Sequence, residues 1–504
     1  MEPTPSSAAR SSIAPVEMHP NEFKEAGYMV VNQIAELLES FNSRAVSTNP
    51  KPSTVRARLG ESTLPIHGSS AMSILEEIIP KLTENSLYNS HPRFWAYITS
   101  SPAPIGILGE MLAAALNPNV GAYSLSPMAT EMEKQVIQWI AEFIGYHTDC
   151  GGILVSGGSM ANYVGFLAAR KSIAHWDVRK EGLGDKRLTL YCAKGTHTWV
   201  EKAADLYGLG TNAIRWIRVE ENGQLDTRML EERIIQDQKE GYYPFLVVGT
   251  AGSVSIGVVD PLDKISSICK KHNMWFHIDG AYGILAAGLP EESKQFKGMK
   301  QADSIALDPH KWLYSPLEAG CVLVKDKKLL RDTFSFSPDY YHFAEEKEEP
   351  ETNFYEYGPQ NSRGFKALKV WLALKQAGRS GYVQMLRDDI LLSKKLRDML
   401  QNHENFEVMT NHLSITTFRY LPLKTSAQQS FGDDYLNLLN KNLVTALQEG
   451  GKVYCSNAII NDQYCLRVCI VNFRTRENDL SVLVTAALEE GKKIHDDLFE
   501  RYPR

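Results

Sequence analysis

The sequence predicts an α/β fold built on a mostly parallel sheet, and three observations carry that expectation. Between about residues 151 and 325, short apolar runs alternate with stretches of helical periodicity. The runs are bounded by Gly, Pro, Asp or Ser, the residues that punctuate strands. Side chains able to do chemistry fall directly after several runs, at the carboxyl ends where parallel sheets gather ligands.

The elements follow in order. The opening MEPTPSSAARSSIAP has no apolar core segment and reads as a disordered tail over 1–20, not as a signal peptide. From about 22 to 41, Phe23, Ala26, Met29, Val30, Ile34, Leu37 and Leu38 recur at steps of three and four, which predicts an amphipathic helix. Residues 43–70 are rich in Ser, Pro, Thr and Gly and read as an extended connector. Strands are expected at 152–155, 188–193, 245–249, 275–278, 304–307 and 320–324, and helices at 159–171 and 198–207. Asp260 is expected to cap a further helix that has Pro261 at its first position. After Arg331 periodicity stops, and a segment of this length without regular structure is usually functional. Residues 363–378 read as helix, and strands near 413–419 and 465–471 suggest a smaller C-terminal domain.

Bulk numbers narrow the function classes. The 504 residues suggest two or three domains, with ordinary globular composition at 43% hydrophobic and 23% charged. Fifty-four basic against 60 acidic residues give a formal charge of −6, which argues against nucleic acid or an anionic membrane as partner. No apolar run is long enough to span a bilayer, so a cytoplasmic protein is expected. The 7 cysteines form no CxxC pair, so neither a metal site nor a redox motif is expected, and free thiols in a reducing compartment are.

Four motifs carry candidate chemistry. Asp308-Pro309-His310-Lys311-Trp312 follows a strand, and a partly desolvated lysine there can form a Schiff base, although most lysines are solvated surface charges. His277-Ile278-Asp279-Gly280-Ala281-Tyr282 ends a strand on an acid; it suits a pyridinium nitrogen, and it equally suits a helix cap. Ser156-Gly157-Gly158-Ser159 joins a strand to a helix, where free N–H groups favour a phosphate, although a plain tight turn reads the same way. Thr196-His197-Thr198 offers an imidazole to a planar ligand, or merely to nearby backbone. The order of the four, each at a strand end, is the informative feature.

On these motifs the chain resembles the group II pyridoxal-phosphate decarboxylases, which include aromatic-L-amino-acid, glutamate, cysteine-sulfinate and histidine decarboxylases. The likeness runs from Asn21 to about Glu477, and Glu22-Phe23-Lys24-Glu25-Ala26-Gly27 looks like the family's first helix. It implies a fold type I enzyme with a seven-stranded, mostly parallel sheet. The implied parts are an N-terminal helical dimerisation segment over 21–100, a large domain over 101–375 and a small α+β domain over 376–504. It implies pyridoxal 5'-phosphate as cofactor and a homodimer with its sites between the subunits. By the same resemblance Lys311 carries the cofactor, Asp279 faces its ring nitrogen and His197 stacks on the ring. Gly157, Gly158 and Ser159 hold the phosphate with His310 nearby, and Tyr340 is the loop tyrosine that protonates the α-carbon after CO2 leaves. Arg467 resembles a substrate-contacting arginine of glutamate-type members, and also suits a structural ion pair. The pocket wall would include His91, Tyr97, Thr99, Ser100, Asn119, Gly121 and Tyr123.

Two departures stand out: Gly252-Ser253-Val254 replaces the usual Gly-Thr-Thr, and Met160 replaces the usual Glu after the phosphate turn. For the substrate, Gly121 leaves room for a ring and favours an aromatic amino acid, whereas Asn117-Pro118-Asn119 has some likeness to the glutamate and cysteine-sulfinate group. Competing readings are an aminotransferase, an oxidative aldehyde synthase of the same family, and a non-catalytic scaffold. The dipeptide His310-Lys311 before Trp312 argues against the first, retention of Tyr340 and His197 against the second, and the intact cofactor positions against the third.

Overall fold

The computed structural model describes residues 14–60, 63–336, 351–423 and 431–501. The N-terminal part is helical: α1 (Pro20–Ser40), α2 (Pro52–Leu59), α3 (Ala71–Glu84), α4 (Pro104–Leu116) and α5 (Pro127–Ile144). Proline stands in the first turn of α1, α2, α4 and α5, where its missing N–H costs nothing. Helix α2 lies inside the segment 43–70 that was expected to be an extended connector: Pro52 starts it and Gly60, at φ 94, ends it.

The large unit alternates strands and helices. Its parts are β1 (Gly151–Val155), α6 (Gly158–Ile173), α7 (Val178–Glu181), β2 (Leu188–Ala193), α8 (Trp199–Leu206), β3 (Ile214–Ile217), α9 (Thr227–Lys239), β4 (Tyr243–Thr250), α10 (Leu262–Lys271), β5 (Trp275–Asp279), β6 (Ser304–Leu307) and β7 (Gly320–Val324). The strand order is β1-β7-β6-β5-β4-β2-β3. Neighbours pair parallel except for β7, which runs antiparallel to both β1 and β6. No helix separates β6 from β7, and without a crossover helix the chain can only return antiparallel. Strands β1, β2, β5, β6 and β7 are buried along their whole length, so they read as continuous apolar runs and not as alternation.

Asp260 does not cap α10. Its carboxylate accepts the N–H of Leu225 at 2.9 Å and of Thr250 at 2.8 Å, and α10 starts without a side-chain cap. Those two N–H groups are buried and need an acceptor more than the exposed first turn of a helix does.

Helix α11 (Leu329–Phe334) ends the large unit's regular structure before α12 (Ala367–Gln401). Helix α12 breaks at Gly378, which takes φ 63. Before the break Trp371 stacks on Trp139 of α5 at 5.9 Å; beyond it, Leu396 and Leu400 enter a second core. That core belongs to β8 (Phe406–His412), β9 (Ile415–Tyr420), α13 (Asp433–Glu449), β10 (Ser456–Ile460), β11 (Gln463–Cys469) and α14 (Glu477–Arg501). The four strands form an antiparallel sheet in the order β10-β11-β9-β8. The tip between β8 and β9 reaches the large sheet: Tyr282, just after β5, shares a 2.6 Å hydrogen bond with Ser414. No helix among the described residues is long and apolar enough to cross a membrane.

Candidate active site

The carboxyl ends of β1, β2, β4, β5 and β6 open on one cavity of about 690 Å³. Each end contributes a group: Gly158 and Ser159 after β1, His197 after β2, Thr250 and Ser253 at β4, Asp279 at β5, and Asp308, His310 and Lys311 after β6. The end of β8, residues 409–412, and residues 459–461 complete the wall.

Lys311 sits in the turn that follows β6. Its Nζ lies 3.1 Å from Asp308 Oδ2, and Asp308 is almost fully buried. The turn is fixed from several sides. Ser100 Oγ donates to the His310 carbonyl at 2.8 Å, and Ala319 N–H donates to His310 Nδ1 at 3.2 Å. Burial holds the His310 imidazole below its ordinary pKa, opposed by Asp308. Trp312 Nε1 and Tyr314 Oη both donate to Asp389 on α12, at 2.8 and 2.7 Å.

Asp279 is buried and accepts Trp199 Nε1 at 2.7 Å, with Ala281 N–H at 3.2 Å on its other oxygen. An indole and a backbone donor fix the direction of this carboxylate and leave it able to accept one more donor from the cavity. His197 Nδ1 accepts Trp199 N–H at 3.2 Å, which fixes the ring at the start of α8. Burial lowers its pKa, Asp279 opposes this, and Lys311 adds to it.

The turn after β1 is tight for a reason the distances give. A Cβ on Gly158 would stand 2.6 Å from Asp308 Oδ2, and a Cβ on Gly320, where β7 begins, would stand 2.5 Å from the Gly157 carbonyl carbon. Glycine at these positions lets the Asp308 carboxylate and the start of β7 pack directly against the turn. Helix α6 starts at Gly158, so its free N–H groups and positive end face the cavity.

Among the described residues, three buried atoms on the wall have no hydrogen-bond partner: Thr250 Oγ1, Ser253 Oγ and Asp308 Oδ1. Orphaned polar atoms around a cavity mark the place of a polar ligand. With an amine, a carboxylate, an imidazole and an anion-accepting turn, the donor set suits pyridoxal 5'-phosphate.

The other expected pocket residues divide. Ser100 holds the Lys311 turn through His310, as above. His91 and Asn119 do not line the cavity of this chain, and their side chains are held elsewhere. His91 is fully buried, with Nε2 3.2 Å from the Arg44 carbonyl and Nδ1 accepting Arg93 N–H at 3.0 Å. Asn119 Oδ1 accepts the N–H of Gly121 at 3.1 Å and of Arg363 at 3.0 Å. Gly121 leaves room not for a ring but for the Asn361 carbonyl, 2.3 Å from where a Cβ would stand. Tyr97 takes φ 54, is 57% exposed and lies off the cavity of this chain, whose wall its neighbour Ile98 joins. Arg467 is buried outside the cavity lining, where Nη1 donates to the Tyr97 carbonyl at 2.9 Å while Nε and Nη2 have no partner among the described residues. Tyr340 lies outside the described residues.

Sequence reading passed over Asp308 and Trp199. Asp308 opens the motif that carries Lys311, so its spacing was the available signal. Trp199 offered none, because it lies 80 positions from its partner Asp279.

Comparison with known proteins gives a consistent answer. Residues 52–421 match the model of the pyridoxal-dependent decarboxylase conserved domain. An aromatic-L-amino-acid decarboxylase of Bacillus atrophaeus is 30% identical over 92% of this chain and 94% of its own. Tryptophan decarboxylase of Catharanthus roseus, solved in complex with L-tryptophan, superposes with a TM-score of 0.85 at 25% identity, covering 96% of this chain and 100% of that one. The 4-hydroxyphenylacetaldehyde synthase of Rhodiola rosea gives 0.84 at 25% identity, covering 95% and 99%.

Proposed function

The chain belongs to the pyridoxal-dependent decarboxylases, lyases that use pyridoxal 5'-phosphate, and from that premise we propose that it converts an aromatic L-amino acid to its amine and CO2. The observation that carries the reading is the convergence of Lys311, Asp279, His197 and the glycine turn from separate strand ends on one cavity. Bound pyridoxal phosphate supplies an electron-accepting ring that lowers the cost of the carbanion left when CO2 departs.

The chain's own residues then have these roles. Lys311 would hold the cofactor covalently, and Asp308, 3.1 Å from the free amine, would position it for that bond. Asp279, held by Trp199, faces the ring nitrogen and keeps it protonated. His197 lies against the ring, its low basicity suiting a flat neutral contact. Gly157, Gly158 and Ser159 take the phosphate at the start of α6, beside His310. On resemblance alone, Tyr340 gives the α-carbon its proton.

An aromatic substrate is supported by the similarity to aromatic-amino-acid decarboxylases and by an apolar wall that includes Ile98, Ile256, Val258 and Met409. A second reading, an acidic amino acid, is favoured by the uncommitted Nε and Nη2 of Arg467. Oxidative aldehyde formation is a third outcome, because an aldehyde synthase shares the fold.

A homodimer completes the proposal. Phe23 and Tyr28 on α1 are 60% and 59% exposed, and Leu112 and Leu116 on α4 are 53% and 68% exposed. Such apolar faces need a cover, and a second copy supplies it symmetrically.

The test is a screen of amino acids with the cofactor-loaded protein, reading CO2, amine, ammonia and peroxide. Amine and CO2 from tyrosine, tryptophan or phenylalanine support the first reading; turnover of glutamate or cysteine sulfinate selects the second, and ammonia with peroxide the third. Borohydride reduction followed by peptide mapping should tag Lys311, and Lys311→Ala should abolish steady turnover. A tag on another lysine, or near-normal activity of that variant, removes the assignment.

A further inference from the structure

Beneath the cavity floor lies a chain of hydrogen bonds that the roles above do not use. His277 stands two residues before Asp279 on β5, with its ring fully buried. Its Nε2 is 2.7 Å from Asn162 Oδ1 and its Nδ1 is 2.7 Å from Ser304 Oγ. Ser304 Oγ also accepts Trp275 Nε1 at 2.8 Å. At the other end, Asn162 Nδ2 donates to the Gly158 carbonyl at 2.8 Å. The relay thus runs from β5 and β6, through the imidazole, to the first residue of α6.

The direction of each bond follows from its neighbours. Asn162 spends its N–H on Gly158, so its oxygen faces Nε2, which must donate. Ser304 takes the indole N–H on a lone pair, and its own proton is left for Nδ1. Every member is satisfied by a neutral ring, and burial pushes the His277 pKa down to about 4, opposed by Asp279. The helix makes room for it: a Cβ on Gly165 of α6 would stand 2.7 Å from His277 Cε1. Apolar side chains would fill a helix–sheet contact at less desolvation cost, so a fully satisfied polar relay here favours one arrangement of α6 over all others.

We propose that Asn162, His277 and Ser304 are positioning residues for the phosphate-holding turn: their relay pins Gly158 to the sheet and keeps the free N–H groups of α6 aimed at the cofactor phosphate. This rests on the reading that Gly157, Gly158 and Ser159 hold that phosphate. Asn162 lines the cavity, but no side chain of the relay hydrogen-bonds to Lys311 or to the Asp279 carboxylate, so its loss should be felt chiefly through the phosphate.

Pyridoxal, which lacks the phosphate, is therefore the discriminating probe. The dissociation constants of pyridoxal phosphate and of pyridoxal are measured on the full-length apo-protein by absorbance, for the parent, Ser304→Ala and Asn162→Ala. The parent should prefer the phosphorylated form strongly. Each variant should lose about tenfold of that preference, the scale of one or two buried hydrogen bonds, and should bind pyridoxal as the parent does. The phosphorus-31 resonance of bound cofactor should shift in both. General damage would weaken both ligands alike and would overturn the proposal. So would a preference equal to the parent's in variants with parental circular dichroism. A parent that binds the two ligands equally would instead overturn the phosphate-turn reading itself. Should Asn162→Ala not fold, Ser304→Ala, remote from the cavity wall, carries the same comparison.

Discussion

His91 separates a structural role from a substrate-binding one, and the separation can be measured. Its ring accepts Arg93 N–H on Nδ1 and donates Nε2–H to the Arg44 carbonyl, while its own carbonyl accepts Asn472 Nδ2 at 2.8 Å. The residue therefore joins the connector after α1, the start of the large unit and the segment after β11. Burial pushes its pKa from 6.5 to about 4, with Arg93 adding to the shift and the Arg44 carbonyl opposing it. The folded value lies below the unfolded one, so as pH falls the unfolded chain takes up the proton first. The stability that the neutral ring contributes is whole above about pH 6.5 and is lost as pH falls through about 4. At roughly 1.4 kcal/mol for each tenfold change, the loss amounts to about 3 kcal/mol.

The assay is urea unfolding of the wild type and His91→Gln between pH 4.5 and 7.5. The variant cannot gain that proton, so its stability should depend on pH less steeply than the wild type's, by up to about one proton per molecule. It should also be less stable near neutrality by about 1 kcal/mol, because the Arg93 N–H loses its acceptor. KM for the best substrate should stay within about twofold, the ring being remote from the cavity. A variant with wild-type stability and slope but a clearly raised KM would refute this reasoning and return the ring to the substrate.

Two further outcomes follow from the same geometry. Gly158→Ala places a methyl 2.6 Å from Asp308 Oδ2 and should cost the protein its cofactor on gel filtration; full retention would mean that the turn has slack. Glu133 and Arg363 form a buried pair at 2.6 Å, with Arg363 also donating to the carbonyls of Val120 and Leu154. Glu133→Ala or Arg363→Met alone should destabilise by about 3–5 kcal/mol and the double variant by less than their sum, read by denaturation; additive losses would remove the pairing argument.

Much of the sheet was legible because its strands are buried on both faces and bounded by punctuating residues. The runs expected at 188–193, 304–307 and 320–324 coincide with β2, β6 and β7. Strand β3 was missed: it has 4 residues, and Trp216 within it is exposed, so no apolar run announces it. Helices α3 to α5 went unread among turn-like residues such as Asn117, which takes φ 44 to end α4. The motifs at strand ends were legible because each is local. The pocket wall was not, because whether His91 or Asn119 faces a cavity depends on partners far away in the chain, such as Arg363, 244 positions from Asn119. Asn162 and His277, 115 positions apart, escaped for the same reason.

The same distance effect explains why the Lys311 turn draws on the whole chain. Its carbonyl at His310 is held by Ser100 from the segment ahead of α4, and its far side by Asp389 from the second half of α12. Tyr314 takes φ 53, a conformation that costs a bulky residue about 1–3 kcal/mol and persists only where neighbours enforce it. Here Asp389 is the enforcer: buried, its pKa raised to about 7 by desolvation, it accepts from both Trp312 and Tyr314. Asp308 can then meet the amine from the near side, because the turn cannot rotate away. A lysine on a strand end is commonplace; a lysine whose turn is fixed from two separate parts of the chain suits the covalent role proposed for Lys311. The small C-terminal unit, through α12 and the end of β8, therefore helps to shape the candidate site and is not an appendage to it.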